Sequence, residues 1–403
     1  MIDTLYVYKR YYVSGYGKFS FVGIVENFIS VIWHEKFYDK GEFELVVPFS
    51  DELFNMLQPN FHVFKQDYET SDGLISMIIK TVEVSSDEET GEDIIKVTGT
   101  SSNEIIERRI ILNTTKFYNK KITDIIANLV LEQAGAATVT KATSPEEGTY
   151  TIELQNVISC PNATYRSMKM FILKKDVAEI EDTLTMQIVG KNLLEAVKEL
   201  CLQYKLGFRV LLTPYYIFQS KKTLQSTGEV LDTVSKETDF LRFQILKPAD
   251  RSDYIIFADE YDNIYKSTYM KNLENQINFV LVAGKGEGED RKKYTFTKDG
   301  YGTARGEEIY EAYCDLRDSD DTDMTEQQYK ESLKLSAIEQ YGKIEEAFDT
   351  ELHTDGVFKF GKDFFLGDYV TIRKFGKEWK AQVIENIESL DENGYRNTPI
   401  FAY

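Results

Sequence analysis

Asn278 to Asp318 reads NFVLVAGKGEGEDRKKYTFTKDGYGTARGEEIYEAYCDLRD, and this stretch decides the fold. It opens with an apolar run, Phe279 to Val282, and continues into a segment with glycine at every second position. After the glycines, Tyr294 and Phe296 alternate with threonines. Period-two patterning on both sides of a glycine segment predicts strand, turn, strand, because glycine allows the positive φ that a chain reversal needs.

The same glycine spacing also occurs in phosphate-binding loops. Such a loop needs a helix directly after the glycines, so that free amides and the helix dipole face the anion. Here Glu289 and Asp290 follow, and then a strand pattern. Because two carboxylates beside the loop would repel a phosphate, we do not predict nucleotide binding.

A strand pair around an Asp-Lys-Gly turn is predicted near the start of the chain. Trp33 belongs to the first strand, Gly41 closes the turn, and Pro48 ends the second strand because it lacks an amide donor. In the second strand, Phe43, Leu45 and Val47 alternate with polar residues and valine. We expect Trp33 to fill the core, and a contact between subunits is the alternative.

Residues 97–112 repeat the order of the opening stretch. A strand leads to Gly99, a polar turn, the pair Arg108 and Arg109, and a second apolar run. We interpret the two segments as a weak internal repeat, which predicts two related β-barrels in the chain.

Apolar faces predict three helices. The first runs from Ile122 and stops at Gly135, and the second spans 190–207 with Gly207 as its C-cap. The third spans about 325–349 and begins with a capping box formed by Thr325 and Gln328. The first two helices and the strands near them, including a hairpin through Thr213-Pro214, predict a small α/β domain.

The composition is that of an acidic, aromatic-rich protein of 403 residues with a formal net charge of -20. The 26 Tyr and 25 Phe favour sheets over helical bundles. The charge argues against binding of duplex DNA, which requires cations to neutralise phosphates. No apolar run is long enough for a membrane helix and the N-terminus has no signal-peptide pattern, so we expect no stable membrane insertion.

Known catalytic and metal motifs do not match this sequence. Residues 318–323 lack the Gly and Glu of a calcium EF-hand loop, although a looser oxygen-ligand site stays open. The histidines and the cysteines are too few and too widely spaced for a zinc site, a catalytic triad or a disulfide framework. They are His34, His62, His353, Cys160, Cys201 and Cys314. We therefore assign no catalytic residue, no metal ligand and no cofactor.

The order of the motifs resembles the hub proteins of phage tail tips. The motifs are the glycine segment with Arg291, the turn Arg305-Gly306-Glu307-Glu308, Trp33 followed by Gly-x-Phe-x-Leu, and Leu-Gly-Asp-Tyr-Val at 366–370. The family comprises baseplate-hub or tail-associated proteins of phages, prophages and phage-tail-like particles of Gram-positive bacteria. It is similar to the trimeric central hub of contractile-tail baseplates.

This resemblance implies an α+β fold that is mostly β, with two β-barrel tube domains, an inserted small α/β domain and short β insertions. The expected first barrel is 1–118 and the α/β domain is 119–220. A small β-rich linking domain at 221–277 then precedes the second barrel at 278–403, which contains the long helix.

The resemblance also implies a function, which is that of a structural virion protein rather than an enzyme. A homotrimer at the tail tip or baseplate, assembled in the bacterial host cytoplasm, would join the sixfold tail tube to the threefold spike or receptor-binding apparatus. The expected partners are a distal tail or tail-tube protein, a spike, receptor-binding or tail-fibre protein, and a tape-measure protein. DNA would pass through the lumen without sequence-specific binding. The alternative is a carbohydrate-binding or cell-wall glycan-hydrolysing tail protein, with the aromatic residues as stacking platforms.

The residues of interest are architectural in this interpretation. For Arg291 and Arg305, binding of a ligand carboxylate is the alternative to ion pairs that fix a turn or an interface. The turn and interface candidates are Trp33, Gly41, Gly99, Arg108, Arg109, Gly284, Gly286, Gly288, Arg291, Arg305, Glu308, Gly367 and Asp368.

Overall fold

The structure is a computed structural model, and strands dominate it. It describes residues 2–13, 16–66, 73–86, 91–134, 137–142, 152–155, 168, 171–174, 180–223, 230–274, 276–341, 346–352 and 357–402. Cys160, His353 and the predicted helix stop at Gly135 lie outside these ranges. The described helices are α1 (Asp51–Met56), α2 (Glu104–Glu107), α3 (Ile122–Ala134), α4 (Leu193–Gln203) and α5 (Glu326–Tyr341).

The N-terminal β unit packs its strands around one apolar core. Along β4 buried side chains alternate with more exposed ones, as the sequence predicts, and Phe43, Leu45 and Val47 face inward. Ser50 caps α1 by accepting a hydrogen bond from the Leu53 amide at 3.1 Å. Its strands are β1 (Leu5–Val13), β2 (Tyr16–Val25), β3 (Ser30–Lys36), β4 (Glu42–Pro48), β5 (His62–Phe64), β6 (Met77–Ser86) and β7 (Asp93–Ser101).

The middle of the chain carries a five-stranded sheet and a two-stranded one, with α3 and α4 sharing one core. The hairpin predicted at Thr213-Pro214 is wrong. Both residues lie inside the long strand β13, where the register shifts between Thr213 and Tyr216 because proline cannot donate to the ladder. The strands are β8 (Thr115–Lys121), β9 (Ala137–Ala142), β10 (Ile152–Gln155), β11 (Phe171–Lys174), β12 (Thr183–Ile188), β13 (Gly207–Thr223) and β14 (Val230–Leu246).

The boundary expected at 220–221 falls inside the β13–β14 pair. These two strands are antiparallel and hydrogen-bonded along most of their length, so they belong to one unit. Residues assigned to a separate linking domain therefore complete the sheet of the α/β unit.

The C-terminal part has two cores. One lies between α5 and a three-stranded sheet, and the other lies under the remaining strands. Its strands are β15 (Ile256–Ala258), β16 (Ile264–Lys271), β17 (Phe279–Ala283), β18 (Lys293–Thr297), β19 (Glu311–Asp315), β20 (Glu346–Leu352), β21 (Tyr369–Lys374), β22 (Lys377–Asp391) and β23 (Gly394–Ala402).

The strand–turn–strand prediction for the deciding stretch is confirmed. β17 pairs antiparallel with β18 across the glycine segment, and β19 adds in parallel on the other side of β17. The Thr325–Gln328 capping box of α5 is also present. The helix is shorter than predicted, because residues from Glu346 onward pair as β20 with β16 and β23.

The two predicted barrels are not confirmed. The described strands of both β units join one ladder, in the order β16-β20-β23-β22-β3-β4-β7-β6-β5-β1-β2, which does not close on itself. The link is the pairing of β22 with β3, which places Glu388 opposite Trp33. Each half keeps its own core, so the sheet carries two β units rather than two closed barrels.

Among the described residues, no helix is both long and apolar enough to cross a membrane.

Candidate functional site

The three parts of the chain meet around one aromatic side chain, and we call this place the Phe37 junction. Phe37 follows β3 and is 1% exposed. A Cβ on Gly207 of the α/β unit would come within 2.2 Å of its ring, and a Cβ on Gly367 of the C-terminal β unit within 2.3 Å. Both positions must be glycine for the ring to lie between the two units.

Hydrogen bonds fix the backbone on both sides of this ring. The Phe37 amide donates to the Ile384 carbonyl at 2.8 Å, and the Phe208 amide donates to the Phe37 carbonyl at 3.4 Å. Beside it, the Tyr38 hydroxyl donates to Gln382 Oε1 at 2.6 Å. Burial, and then the charge of Tyr369, raises the pKa of Tyr38, so its hydroxyl remains a donor at physiological pH.

Two predicted residues, Gly367 and Asp368, belong to this junction. Gly367 has a φ of +92°, which favours glycine. Asp368 is 5% exposed and pairs with Arg251. It also accepts from the amides of Phe365 at 2.9 Å and Ala249 at 3.3 Å. Asp368 therefore ties two loops to the start of β21.

Trp33 lies in the core of the N-terminal β unit at 1% exposure. Its ring meets Phe43 edge-on at 5.7 Å, and its indole Nε1 donates to Glu35 Oε1 at 3.0 Å. The Lys65 ammonium lies over the ring, 5.1 Å from its centroid. Every face of the indole thus has a partner within the chain.

The glycines of the first half have steric roles. A Cβ on Gly41 would lie 2.1 Å from the His34 carbonyl oxygen, so only glycine fits the turn before β4. The sequence predicts Gly99 in a turn, but in the structure it lies inside the strand β7. There a Cβ would lie 2.3 Å from the Ile78 carbonyl oxygen, so glycine permits close pairing with β6.

Arg108 and Arg109 directly follow the helical turn α2, and Arg108 is its C-cap. Its Glu104 is 4% exposed and accepts from Arg108 Nε at 2.8 Å and from the Thr100 hydroxyl at 2.7 Å. Burial alone would raise the pKa of Glu104, but Lys80, Thr100 and Arg108 lower it overall. Arg108 therefore stabilises a buried carboxylate, while the Arg109 carbonyl accepts from the Leu193 amide at 2.9 Å.

The glycine segment after β17 is packed against α5. A Cβ on Gly284 would lie 2.3 Å from the Tyr329 hydroxyl oxygen, and Gly286 and Gly288 have φ values of +106° and +57°. The Tyr329 hydroxyl accepts from the Lys285 amide at 2.8 Å.

Arg291 fixes this turn to β19. It donates to the carbonyls of Gly284 at 2.9 Å and Ala283 at 2.8 Å, and to the Tyr313 hydroxyl at 3.0 Å. It also pairs with Asp315, whose pKa it lowers by hydrogen bonding. The ion-pair partner is Asp315, on a neighbouring strand, and not one of the nearby acids Glu289 and Asp290.

Arg305 lies on the exposed turn before β19. Its side chain donates to the carbonyl oxygens of Ala304 at 2.6 Å and Gly302 at 3.3 Å. Glu308 reaches back to the Arg305 amide at 3.3 Å. Within the described part of the chain, no carboxylate forms an ion pair with the Arg305 guanidinium.

The structure thus gathers Gly41, Gly367 and Asp368 near the Phe37 junction and leaves the glycine segment with Arg291 and Arg305 in a separate unit. Sequence analysis missed Phe37 and gave Gly207 the role of a helix cap. The helix α4 ends at Gln203, and Lys205 with a φ of 53° makes the left-handed turn. The sequence contains both glycines that contact the Phe37 ring, Gly207 and Gly367. Nothing in the sequence indicates that either of them lies next to Phe37.

The acidic loop before α5 is held by lysines. Asp320 accepts from Lys116 at 2.7 Å, and Asp321 accepts from Lys285 at 2.6 Å and Lys292 at 2.8 Å. No group of three His, Cys, Asp or Glu side chains in the described ranges is arranged to hold a metal ion. In the described ranges, these ion pairs fix the acidic loop to β8 and to the glycine segment.

A known protein family matches almost the whole chain. The sequence model of the family described as Siphovirus ReqiPepy6 Gp37-like protein matches residues 13–400. The chain belongs to this family. No curated protein matches the sequence.

Two solved structures share the fold of this chain over nearly its whole length. One is the prophage MuSo2 43 kDa tail protein from Shewanella oneidensis, 11% identical with a TM-score of 0.50, covering 99% of this chain and 98% of that one. The other is the tail protein from Neisseria meningitidis MC58, 12% identical with a TM-score of 0.50, covering 99% and 96%. The family match confirms the phage resemblance that the motifs indicate, and the chain shares the fold of these two tail proteins.

Proposed function

We propose that this chain is the structural hub of a phage tail tip or baseplate. One observation carries the proposal. Two β units, each with its own apolar core, are built on one continuous sheet, in a fold shared from end to end with two tail proteins. A subunit with two such units offers two positions around a ring.

Three copies then present six β units around a central axis. This arrangement matches a threefold partner on one side and a sixfold tube on the other, and closed symmetry is the rule for assemblies of identical chains. The homotrimer would contact a distal tail or tail-tube protein on one side and a spike, receptor-binding or tail-fibre protein on the other. The tape-measure protein and the genome would pass through its lumen.

The net charge of -20 supports such a channel. DNA sliding past an acidic wall is repelled rather than retained, because binding needs cations that replace phosphate counterions. The hub would act in the virion tail after assembly in the bacterial host cytoplasm, and its role would be mechanical rather than enzymatic.

Electron microscopy tests the proposal directly. Negative-stain images of the purified chain, alone and mixed with the products of neighbouring genes, should show threefold rings with a central hole or particles at one end of a tube. Sedimentation of the same samples should give the mass of three chains in the assembled fraction.

A carbohydrate-acting tail protein is the rival function. One observation favours it: Tyr265 on β16 and Tyr261 just before it are 66% and 50% exposed, as stacking platforms are. A chain that stays monomeric in every mixture, yet binds or cleaves cell-wall glycan, would overturn the hub proposal in favour of this rival.

A further inference from the structure

A basic cavity lies beside the Phe37 junction in this acidic protein. It measures about 780 Å3, within the range of ligand sites. Its wall comes from the N-terminal β unit, from β13 and β14 of the α/β unit, and from the loop at 357–368. Lysine and arginine side chains in that wall outnumber carboxylates by seven to three, whereas the whole chain carries a net charge of -20.

The three carboxylates of the wall are already occupied. Lys65 pairs with both Glu35 and Glu388, and Arg251 pairs with Asp368. Burial alone would lower the pKa of Lys65, but the two glutamates outweigh it and raise the pKa. A further wall cation, Lys36, pairs with Glu42 outside the cavity. With seven cations against three carboxylates, the wall still carries an excess of positive charge.

Four cations of the wall have no carboxylate partner among the described residues: Arg209, Lys247, Lys359 and Lys362. Arg209 is half-buried, and its Nε donates to Gln244 Oε1 at 2.9 Å. Burial, and then the neighbouring charge of Arg242, lowers the pKa of Arg209, and the charge of Glu35 opposes this only in part. A guanidinium held against another cation in a partly dry cavity has much to gain from an incoming carboxylate.

The wall is also partly apolar. Phe208, Phe360 and Phe365 contribute to it, and the Arg251 guanidinium lies over the Phe365 ring at 5.6 Å. A ligand that satisfies this wall must therefore bring spaced negative charges together with apolar contact.

We propose that the cavity binds an acidic peptide segment of a partner protein. Carboxylates along one extended segment can reach cations supplied by separate parts of the wall, while its backbone and apolar side chains contact the phenylalanines. A nucleic acid duplex fits poorly, because Arg209 lies inside a cavity and the chain as a whole carries a net charge of -20. The same net charge disfavours non-specific attachment of an acidic segment to the protein. The proposal does not require the hub function, since a single chain contains the whole site.

Fluorescence anisotropy with the full chain provides the test. The probe is a labelled hexaglutamate peptide, with hexaglutamine as the uncharged control and inorganic tripolyphosphate as a competing small anion. We expect saturable hexaglutamate binding that weakens as NaCl is added, and no binding of hexaglutamine. Replacement of the exposed lysines in the variant Lys247→Gln/Lys362→Gln should weaken binding on the order of tenfold, and Arg209→Gln should weaken it by at least as much.

The matched control is Lys330→Gln/Lys334→Gln, which makes the same charge change on the exposed face of α5 and should leave the affinity unchanged. Equal weakening in both double variants would show non-specific attraction and overturn the proposal. Absence of saturable hexaglutamate binding, or binding of tripolyphosphate alone, would also overturn it, and the latter would assign a small-anion site. None of these outcomes depends on whether the chain forms a trimer.

Discussion

Two turns of similar composition in one short stretch have opposite environments. The first glycine turn, residues 284–292, is fixed from three sides by Arg291, Tyr329 and Asp321. The second glycine turn, residues 301–308, is exposed, and its Arg305 side chain contacts only carbonyl oxygens of its own loop. Both contain glycines, an arginine and acids, so composition does not separate them.

The difference lies in what each arginine can reach. Arg291 follows a turn that lies beside β19, so its guanidinium meets Asp315 and two turn carbonyls at once. Arg305 precedes β19 and faces solvent, where an ion pair would contribute little. The first turn is therefore fixed by contacts within the chain, whereas the second turn is exposed among the described residues.

Removal of Arg291 should have the largest effect. In Arg291→Ala, the buried Gly284 carbonyl loses its donor, and an unsatisfied buried carbonyl costs about 1–3 kcal/mol. The lost contacts to Ala283, Tyr313 and Asp315 add to this cost. Urea denaturation followed by circular dichroism measures the change in the free energy of unfolding. A variant as stable as the wild type would show that the first turn is not fixed by Arg291.

A pair of glycine substitutions separates packing from backbone strain. Gly284→Ala brings a methyl group into the Tyr329 hydroxyl and should cost about 1–3 kcal/mol, because the tyrosine must leave two hydrogen bonds. Gly288→Ala meets open space and carries only the strain of its φ of +57°, about 1 kcal/mol. Thermal unfolding of both variants gives the comparison, and a larger loss in Gly288→Ala would contradict the packing account.

Lys285 and Lys292 both donate to Asp321, and we call this pair of contacts the lysine clamp. The clamp should contribute less to the free energy of unfolding than Arg291 does, and its contribution should depend on pH. Hydrogen bonds from Lys285 and Lys292 lower the pKa of Asp321 to about 2, from an unfolded value of 3.8. Its stabilisation is present above the unfolded value and is lost as the pH falls through the folded value. Asp321→Asn should therefore cost about 0.5 kcal/mol at pH 7, after solvent screening, and only a small part of that near pH 2. Urea titrations at the two pH values test this, and an equal cost at both would exclude the clamp.

Arg305→Ala should change the stability of the single chain least, by less than about 0.5 kcal/mol. If the second turn is a hub contact, the same variant should fail to form trimers in sedimentation experiments with its tail partners. Normal assembly of Arg305→Ala would remove this turn from the interface while leaving the comparison of stabilities intact.

Local features of the fold could be predicted from the sequence. The strands on both sides of the glycine segment, the alternation in β4 and the Thr325–Gln328 capping box all depend on neighbouring residues. The residues that set strand periodicity and helix capping lie within a few positions of one another, so a single sequence is enough to predict these features.

Features that need distant partners could not be predicted. Gly99 is predicted in a turn because the Ile78 carbonyl that crowds it lies at the far end of the preceding strand, β6, many positions away in sequence. The sequence predicts a helix up to about 349 because nothing near residues 346–349 shows that they pair with β16 and β23. The Phe37 junction depends on Gly207 and Gly367, which come from different units. The ion pair of Arg291 depends on Asp315, which lies on β19.

The pairing of β22 with β3 has a consequence for synthesis of the chain. The side chains of His34 on β3 and Glu385 on β22 form a hydrogen bond, with 2.6 Å between Nε2 and Oε2, although the two residues are 351 positions apart. Until the ribosome has made β22, β3 keeps an unpaired edge, and an open strand edge is a template for aggregation. A chain whose synthesis stops before β22 therefore exposes the edge of β3 that β22 covers in the folded protein. We expect a nascent chain to aggregate most readily until β22 has been made.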